Sequence, residues 1–408
     1  MARLNRATKC RGRTREGNIF MIRKRTHHVK TYFVRTALVI PLIVAGSAGA
    51  KITGECDNCH TMHNSQQGAS MQFNSSATVE RNLLRGDCLG CHGQATSQKI
   101  VNINGSLVPQ VMHSDPSGDL AAGNFGYITG IKGTASNSHG HNVIALGAEF
   151  KETLITNLPG GIKQSGHTGY IVNASNLTCA GLNGCHGYRY SSGSPTDVVA
   201  LKGAHHNNVD GQLAVADTAA NSYRFLVGVK GYENQTDKWQ NASSTSHNEY
   251  YGATTPMTLG CGATSCHGSN GVSPPNHTIS GFCGTCHGNF HTISVGSGND
   301  TNSNSAGIGP NITSPFIRHP NDVVLPATKE YQNYKVYSIQ APIGRTTVPA
   351  SASGTVTPGT DVVTCLSCHM AHASPYPDML RWDYTQMNAH QSGDVNTGCF
   401  TCHTTKDN

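Results

Sequence analysis

Five times along this 408-residue chain, two cysteines stand three positions apart with a histidine directly after the second. The segments are Cys56/Cys59/His60, Cys88/Cys91/His92, Cys283/Cys286/His287, Cys365/Cys368/His369 and Cys399/Cys402/His403. C-x-x-C-H is the spacing of c-type haem attachment. Two thiols add to the two porphyrin vinyl groups, and the adjacent imidazole turns onto the iron from the same side. A zinc ribbon also uses C-x-x-C but needs no histidine after the second cysteine. A redox disulfide expects one such pair beside a βαβ pattern, not a series without one. Covalent haem is the implied cofactor, and the chain must fold around flat apolar rings.

Two further sites keep the terminal Cys-His pair but widen the gap. Cys179 and Cys185-His186 enclose five residues, and Cys261 and Cys266-His267 enclose four. The added residues are mostly small, so the loop can bulge while its last turn still presents thiol and imidazole together. Two disulfides in an oxidising compartment are the competing reading. The expectation is seven covalently bound haem c groups on fourteen cysteines, with the fifteenth, Cys10, lying in an N-terminal leader.

That leader reads as an export signal. Met21 is the expected start, with 1–20 an upstream extension. A basic stretch to Arg35 precedes the apolar run Ala37–Gly46, and Ala48-Gly49-Ala50 offers cleavage after Ala50. Residues 1–50 carry 11 of the 29 Lys and Arg and one of the 23 Asp and Glu. Residues 51–408 therefore hold 18 basic against 22 acidic residues, a net of −4 where the whole chain has +6. Nucleic acid loses its electrostatic footing as a partner, and a positively charged mineral surface or basic redox protein gains it. No apolar run of about 20 residues follows residue 50, so no integral membrane span is expected after cleavage.

The exported part has a thin aliphatic core: 63 Leu, Ile, Val and Phe in 358 residues. With so small a net charge, this points to apolar surface supplied by a cofactor and not to disorder. The expected fold class is mostly coil with short helices and few short strands. It would be a single multihaem cytochrome c unit over 51–408, wrapped around a continuous haem chain with sites clustered at 56–92, 179–287 and 365–403. Short helices are expected only around the attachment motifs, and short strands at Val323-Val324-Leu325 and Tyr334–Ile339. The Ser/Asn/Gly tract Gly296–Asn311 and the Thr/Ser/Pro/Gly tract Thr346–Thr360 read as loops or linkers.

Seven proximal histidines leave 13 others in 51–408, more than seven irons require. Methionine ligation would raise the potential; a chain this rich in histidine reads as bis-His, low-spin and low-potential. His63 and His372 lie three residues beyond a proximal histidine, and His291 lies four beyond. On a helical turn both rings project from one face, so the second must serve a neighbouring iron. His319 precedes Pro320, which biases it towards an extended backbone suited to presenting a ligand. His141, His206 (or its neighbour His205) and His247 are candidates from the motif-free stretches 93–178 and 187–260. His113 and His167 stand in reserve, while His139, His277 and His390 read as surface residues.

The block Cys56-Asp57-Asn58-Cys59-His60-Thr61-Met62-His63-Asn64-Ser65 resembles the opening of the outer-surface multihaem cytochromes of metal-respiring bacteria. Cys365-Leu366-Ser367-Cys368-His369-Met370-Ala371-His372-Ala373-Ser374, followed by Asp378-Met379 and Arg381, is similar to a later block of the same family. Gly140-His141-Asn142, Cys286-His287-Gly288-Asn289-Phe290-His291, Arg318-His319-Pro320 and the short tail after Cys402-His403 look like its other landmarks, in order. The resemblance implies bis-His haems in a continuous stack, scarce secondary structure and export beyond the outer membrane, to the cell surface or, short of it, the periplasm. It also implies redox-partner cytochromes, ferric minerals or other extracellular acceptors as partners. A hexahaem, filament-forming member of the family adds a homopolymer to them.

Two function classes compete on the residues. An electron carrier needs both axial positions of each iron filled. A multihaem reductase, of the nitrite, hydroxylamine or sulfite class, needs one open iron with acid and base groups around it. All seven motifs end in His and spare histidines outnumber the haems. The expectation is a carrier with no catalytic residues.

Overall fold

The computed structural model describes residues 52–66, 69–70, 83–94, 97–153, 155, 158–159, 176–189, 200–201, 212–213, 219–254, 278–287, 290, 319–389 and 397–405. The leader, the attachment site Cys261/Cys266/His267, the candidates His167, His205, His206, His277, His291 and His390, and the tract Gly296–Asn311 lie outside them.

One local turn recurs at all five C-x-x-C-H motifs. The histidine N–H donates to the carbonyl of the first cysteine, at 2.8 Å for His60, 2.9 Å for His92 and 3.0 Å for His287, His369 and His403. The i to i+4 bond winds both cysteines and the histidine onto one helical turn. At Cys88 this is α1 (Leu89–His92); α2 (Gly126–Thr129) lies away from any motif; α3 (Ile279–Gly284) carries Cys283. The other three motifs open 3-10 turns at Cys56–Asn58, Cys365–Ser367 and Gly398–Thr401. Two of these starts are capped. Thr278 accepts from Gly281 N at 2.8 Å, and Thr364 forms a capping box with Ser367.

The strands are brief. β1 (Ser65–Gln66) pairs with β2 (Ala69–Ser70), β3 (Ile100–Ile103) with β4 (Ser106–Pro109), and β5 (Thr178–Ala180) with β6 (Gly184–His186). A six-stranded sheet follows from β7 (Gln212–Leu213), β8 (Gly231–Tyr232), β9 (Glu249–Tyr251), β10 (Val323–Val324), β11 (Gly344–Arg345) and β12 (Val362–Val363). Its order is β10-β12-β11-β9-β8-β7, antiparallel except for the parallel β11–β9 pair. Among the described residues no helix exceeds six residues and no strand four, so the chain is mostly coil with short helices and strands. No helix there is long and apolar enough to cross a membrane.

Two local expectations need correction. Helical turns are not confined to the motifs: α2 and the 3-10 turn Lys329–Asn333 carry none. Tyr334–Ile339 is not a strand. Tyr334 and Tyr337, three apart, are both buried while Val336 between them is 67% exposed, so the segment lacks the period of two a strand needs. Only Val336 bridges, to Thr355. Thr346–Thr360 is a loop, as expected, pinned by Arg345 Nη2 donating to Ser353 O at 3.0 Å and Ser353 N donating to Glu249 at 2.7 Å.

The apolar core is divided, and each main part abuts an attachment cysteine. Leu89, Met112, Phe125, Ile128, Val143, Leu146 and Ala373 pack against Cys179. Tyr223, Val229, Tyr250, Ile279, Phe282 and Leu366 pack against Cys185. Leu325, Tyr334, Tyr337, Ile343, Val356 and Val363 pack against Cys402.

Candidate haem-binding sites

The attachment cysteines of successive motifs meet. Cys59 lies in hydrogen-bonding contact with Cys91, and this contact, helped by His60 and Arg85 and opposed by burial, lowers the Cys59 pKa to about 7. Cys88 meets Cys179 within 4.8 Å, and Cys283 meets Cys365. Burial and the neighbouring Cys286 push the Cys185 thiol up to about 11; burial and the neighbouring Cys402 push Cys368 up to about 12. Sites one, two, three, five, six and seven thus adjoin in chain order, and none of the cysteines in the described residues is in a disulfide.

The enlarged site at Cys179 is built differently from the helical turns. Its cysteines sit on the parallel pair β5–β6, joined by a tight loop in which Gly181 N donates to His186 O at 3.1 Å. A Cβ at Gly184 would lie 2.5 Å from the Ala180 backbone, so the loop closes only on glycine. His186 is still delivered beside Cys185.

Three pairs of imidazoles approach one another at a common spacing. His141 and His287 have ring centroids 6.1 Å apart, His186 and His372 6.2 Å, and His319 and His403 6.3 Å. Two imidazoles sharing one metal put their ring centres about 6 Å apart, from a metal–nitrogen bond of about 2 Å and about 1 Å more to each ring centre. The spacing fits one iron per pair. Each pair joins the proximal histidine of one motif to a histidine distant in sequence, and His372 belongs with His186 and not with its own motif partner His369.

Seven histidines are oriented through Nδ1. It donates to Pro109 O from His92 (2.8 Å), Ala371 O from His141 (2.7 Å), Arg224 O from His186 (2.8 Å) and Pro159 O from His287 (2.6 Å). It donates to Pro320 O from His319, Asp378 O from His369 and a Glu330 carboxylate oxygen from His403, each at 2.8 Å. An Nδ1–H so engaged fixes the tautomer and leaves Nε2 unprotonated, as a metal ligand requires. Burial lowers the pKa of His92, His186, His287, His319 and His369, and it lowers that of His141 to about 4 and of His372 to about 3, with neighbouring histidines adding to the last two. Metal ligation needs the unprotonated imidazole.

Other candidates fall elsewhere. His63 projects from an exposed turn with φ 54°. His247 is buried, stacked on Tyr337 at 3.5 Å, with Nδ1 on Ser243 O and Nε2 on Glu249 Oε1 at 3.1 Å. Both its nitrogens are occupied, so the structure does not offer His247 to a haem; it anchors a buried network through Glu249, Arg345 and Asp361. His113 is fully buried beside Asp119, accepting from Asp115 N at 3.2 Å. The orienting groups Pro109, Arg224, Pro320, Asp378 and Glu330 carry no sequence signal, because most act through backbone carbonyls.

The motifs, their shared turn and the facing imidazoles define a protein of the multihaem c-type cytochrome class. Residues 358–408 match the family model described as the doubled CXXCH motif. The chain is 28% identical over 369 residues to the C-type cytochrome OmcS of Geobacter sulfurreducens, covering 81% of this chain and 78% of that protein. Two solved structures are similar: the outer membrane cytochrome S filament of the same organism and the OmcS nanowires. The first is 20% identical with a TM-score of 0.40, covering 86% of this chain and 91% of that one. The second is 22% identical with a TM-score of 0.41, covering 80% and 83%. The sequence similarity to a c-type cytochrome and the doubled CXXCH match agree with the motifs in pointing to multihaem c-type cytochromes.

Proposed function

We propose that the exported protein carries electrons along seven bis-His haems to extracellular or periplasmic acceptors, such as ferric minerals or other cytochromes, and transforms no substrate. The carrying observation is the set of facing imidazole pairs at 6.1–6.3 Å, set along attachment motifs that adjoin in chain order. When bound, haem supplies a reversible one-electron ferric/ferrous couple. The chain's own part is to hold and orient. Cysteines 56, 59, 88, 91, 179, 185, 261, 266, 283, 286, 365, 368, 399 and 402 attach the groups. His60, His92, His186, His267, His287, His369 and His403 supply the proximal imidazoles. His141, His319 and His372 would supply the second imidazole at three sites, and His63, His206 and His291 at others. Filling both faces denies substrate an open position.

The test is paired. Reduced protein should be reoxidised rapidly by ferric acceptors and should not turn over nitrite, hydroxylamine or sulfite. Multi-electron reduction of nitrite or sulfite at enzyme rates would overturn the carrier reading in favour of a reductase.

A further inference from the structure

Six imidazoles, those of His92, His141, His186, His287, His319 and His369, donate through Nδ1 to neutral backbone carbonyls, whereas His403 donates to the side-chain carboxylate of Glu330, at 2.8 Å. Its partner ring, His319, leans on Pro320 O like the rest.

Glu330 is well placed to keep that contact. It sits on the 3-10 turn Lys329–Asn333 with its side chain 12% exposed. Its backbone carbonyl accepts from Thr404 Oγ1 at 2.6 Å, and Asn333 Nδ2 donates to the same hydroxyl at 3.1 Å. Thr404 follows His403 directly, so turn and ligand segment are tied together independently of the carboxylate. Tyr331 closes the side, its ring edge-on to His403 at 5.1 Å.

A carboxylate accepts more strongly than a carbonyl and draws the Nδ1 proton towards itself. Electron density then rises on Nε2, the nitrogen that meets the iron, and a more basic ligand favours ferric over ferrous iron. We propose that Glu330 is a potential-setting residue for the haem held at Cys399, Cys402 and His403. It lowers that potential below the value the same ligands would give with a carbonyl partner. This rests on the bis-His reading of the His319/His403 pair.

The experiment is a spectroscopically monitored redox titration of the full haem-loaded protein, wild type beside Glu330→Gln and Glu330→Asp. Glutamine keeps an oxygen acceptor, and the Thr404 tie runs through the backbone, so the turn is preserved while the charge is lost. In E330Q one haem's share of the titration should move positive by a factor of about ten in its equilibrium constant, about 59 mV for one electron. Every iron should stay low-spin, and E330D should return the shift towards wild type. A superimposable E330Q titration would overturn the proposal, as would a high-spin iron in E330Q, which would make Glu330 a prop for ligation. E330D moving as far as E330Q would also overturn it, by showing that the charge is not what matters. A wild-type spectrum already containing high-spin haem counts instead against the bis-His reading, and it is read before the variants are compared.

Discussion

His372 concentrates the chemistry of the account in one side chain. It stacks on Phe125 at 4.8 Å, faces His186 at 6.2 Å, and is so desolvated that its pKa falls to about 3. His372→Ala should leave haem content intact, because the thioethers hold it, and convert one iron to high spin. The lost ring stack should cost about 1 kcal/mol. An unchanged low-spin spectrum would remove His372 from the ligand set. Asp322 gives a pH test away from the imidazoles. It is fully buried, and burial pushes its carboxyl up to about 6 against donors from Thr278, Ala253 and Ser280. Its folded pKa lies above the unfolded value of about 3.9, so the folded state holds the proton more tightly. Its contribution favours folding below about pH 4 and is lost as pH rises to about 6. Asp322→Asn should therefore stabilise the protein at pH 7 by up to about 3 kcal/mol and do little at pH 4. Melting the two proteins at both values reads this; an equal gain at both would assign the effect to packing. At this scale the sequence was informative wherever a residue's chemistry is special. The turn that brings each cysteine pair and its following histidine together could be read from spacing alone. His247 could not be separated from the ligand candidates, because only its contact with Glu249 reveals that Nε2 is occupied.

Elements here are positioned by close backbone approach more than by propensity. Ala373 bridges both Gly123 and Gly140, and His372 O accepts from His141 N at 3.0 Å. A Cβ on Gly140 would lie 2.5 Å from both Ala373 Cβ and His372 O, with Ile128 behind. Gly140→Ala should force the 140–141 and 371–373 segments apart, costing about 1–3 kcal/mol. Two of the facing pairs share this contact, so it should also weaken the low-spin signals of two haems together. A variant that loses thermal stability with both signals unchanged would separate the clamp from the ligands. These clamps explain which elements were legible. The motif turns follow from a local i to i+4 bond, so spacing was enough. The parallel β5–β6 pair at Cys179 closes through three residues on a close approach of Gly184 to the Ala180 backbone, and the Tyr334–Ile339 segment is tied to Thr355; no local period records either.

At the scale of the molecule, residues 51–408 hold only 63 Leu, Ile, Val and Phe, and among the described residues three of the buried apolar patches each lean on an attachment cysteine. Much of the surface those patches bury should therefore be porphyrin. Produced without haem attachment, the 51–408 chain should give the circular dichroism of a disordered polypeptide and no cooperative melt; a cooperative transition would contradict this. The composition made the need for a cofactor core legible. The order of sites in space was not, because it is set by contacts such as Cys88 with Cys179 and Cys283 with Cys365 between distant segments. In the proposed function the irons stand in a row, each held between two histidines. Anomalous diffraction at the iron edge from crystals of the haem-loaded protein tests it most directly. Iron peaks should lie between His141 and His287, between His186 and His372, and between His319 and His403, with neighbouring peaks following the chain order of the motifs. An iron at any of these sites with one face open, or with either histidine of a pair turned away to another group, would contradict it.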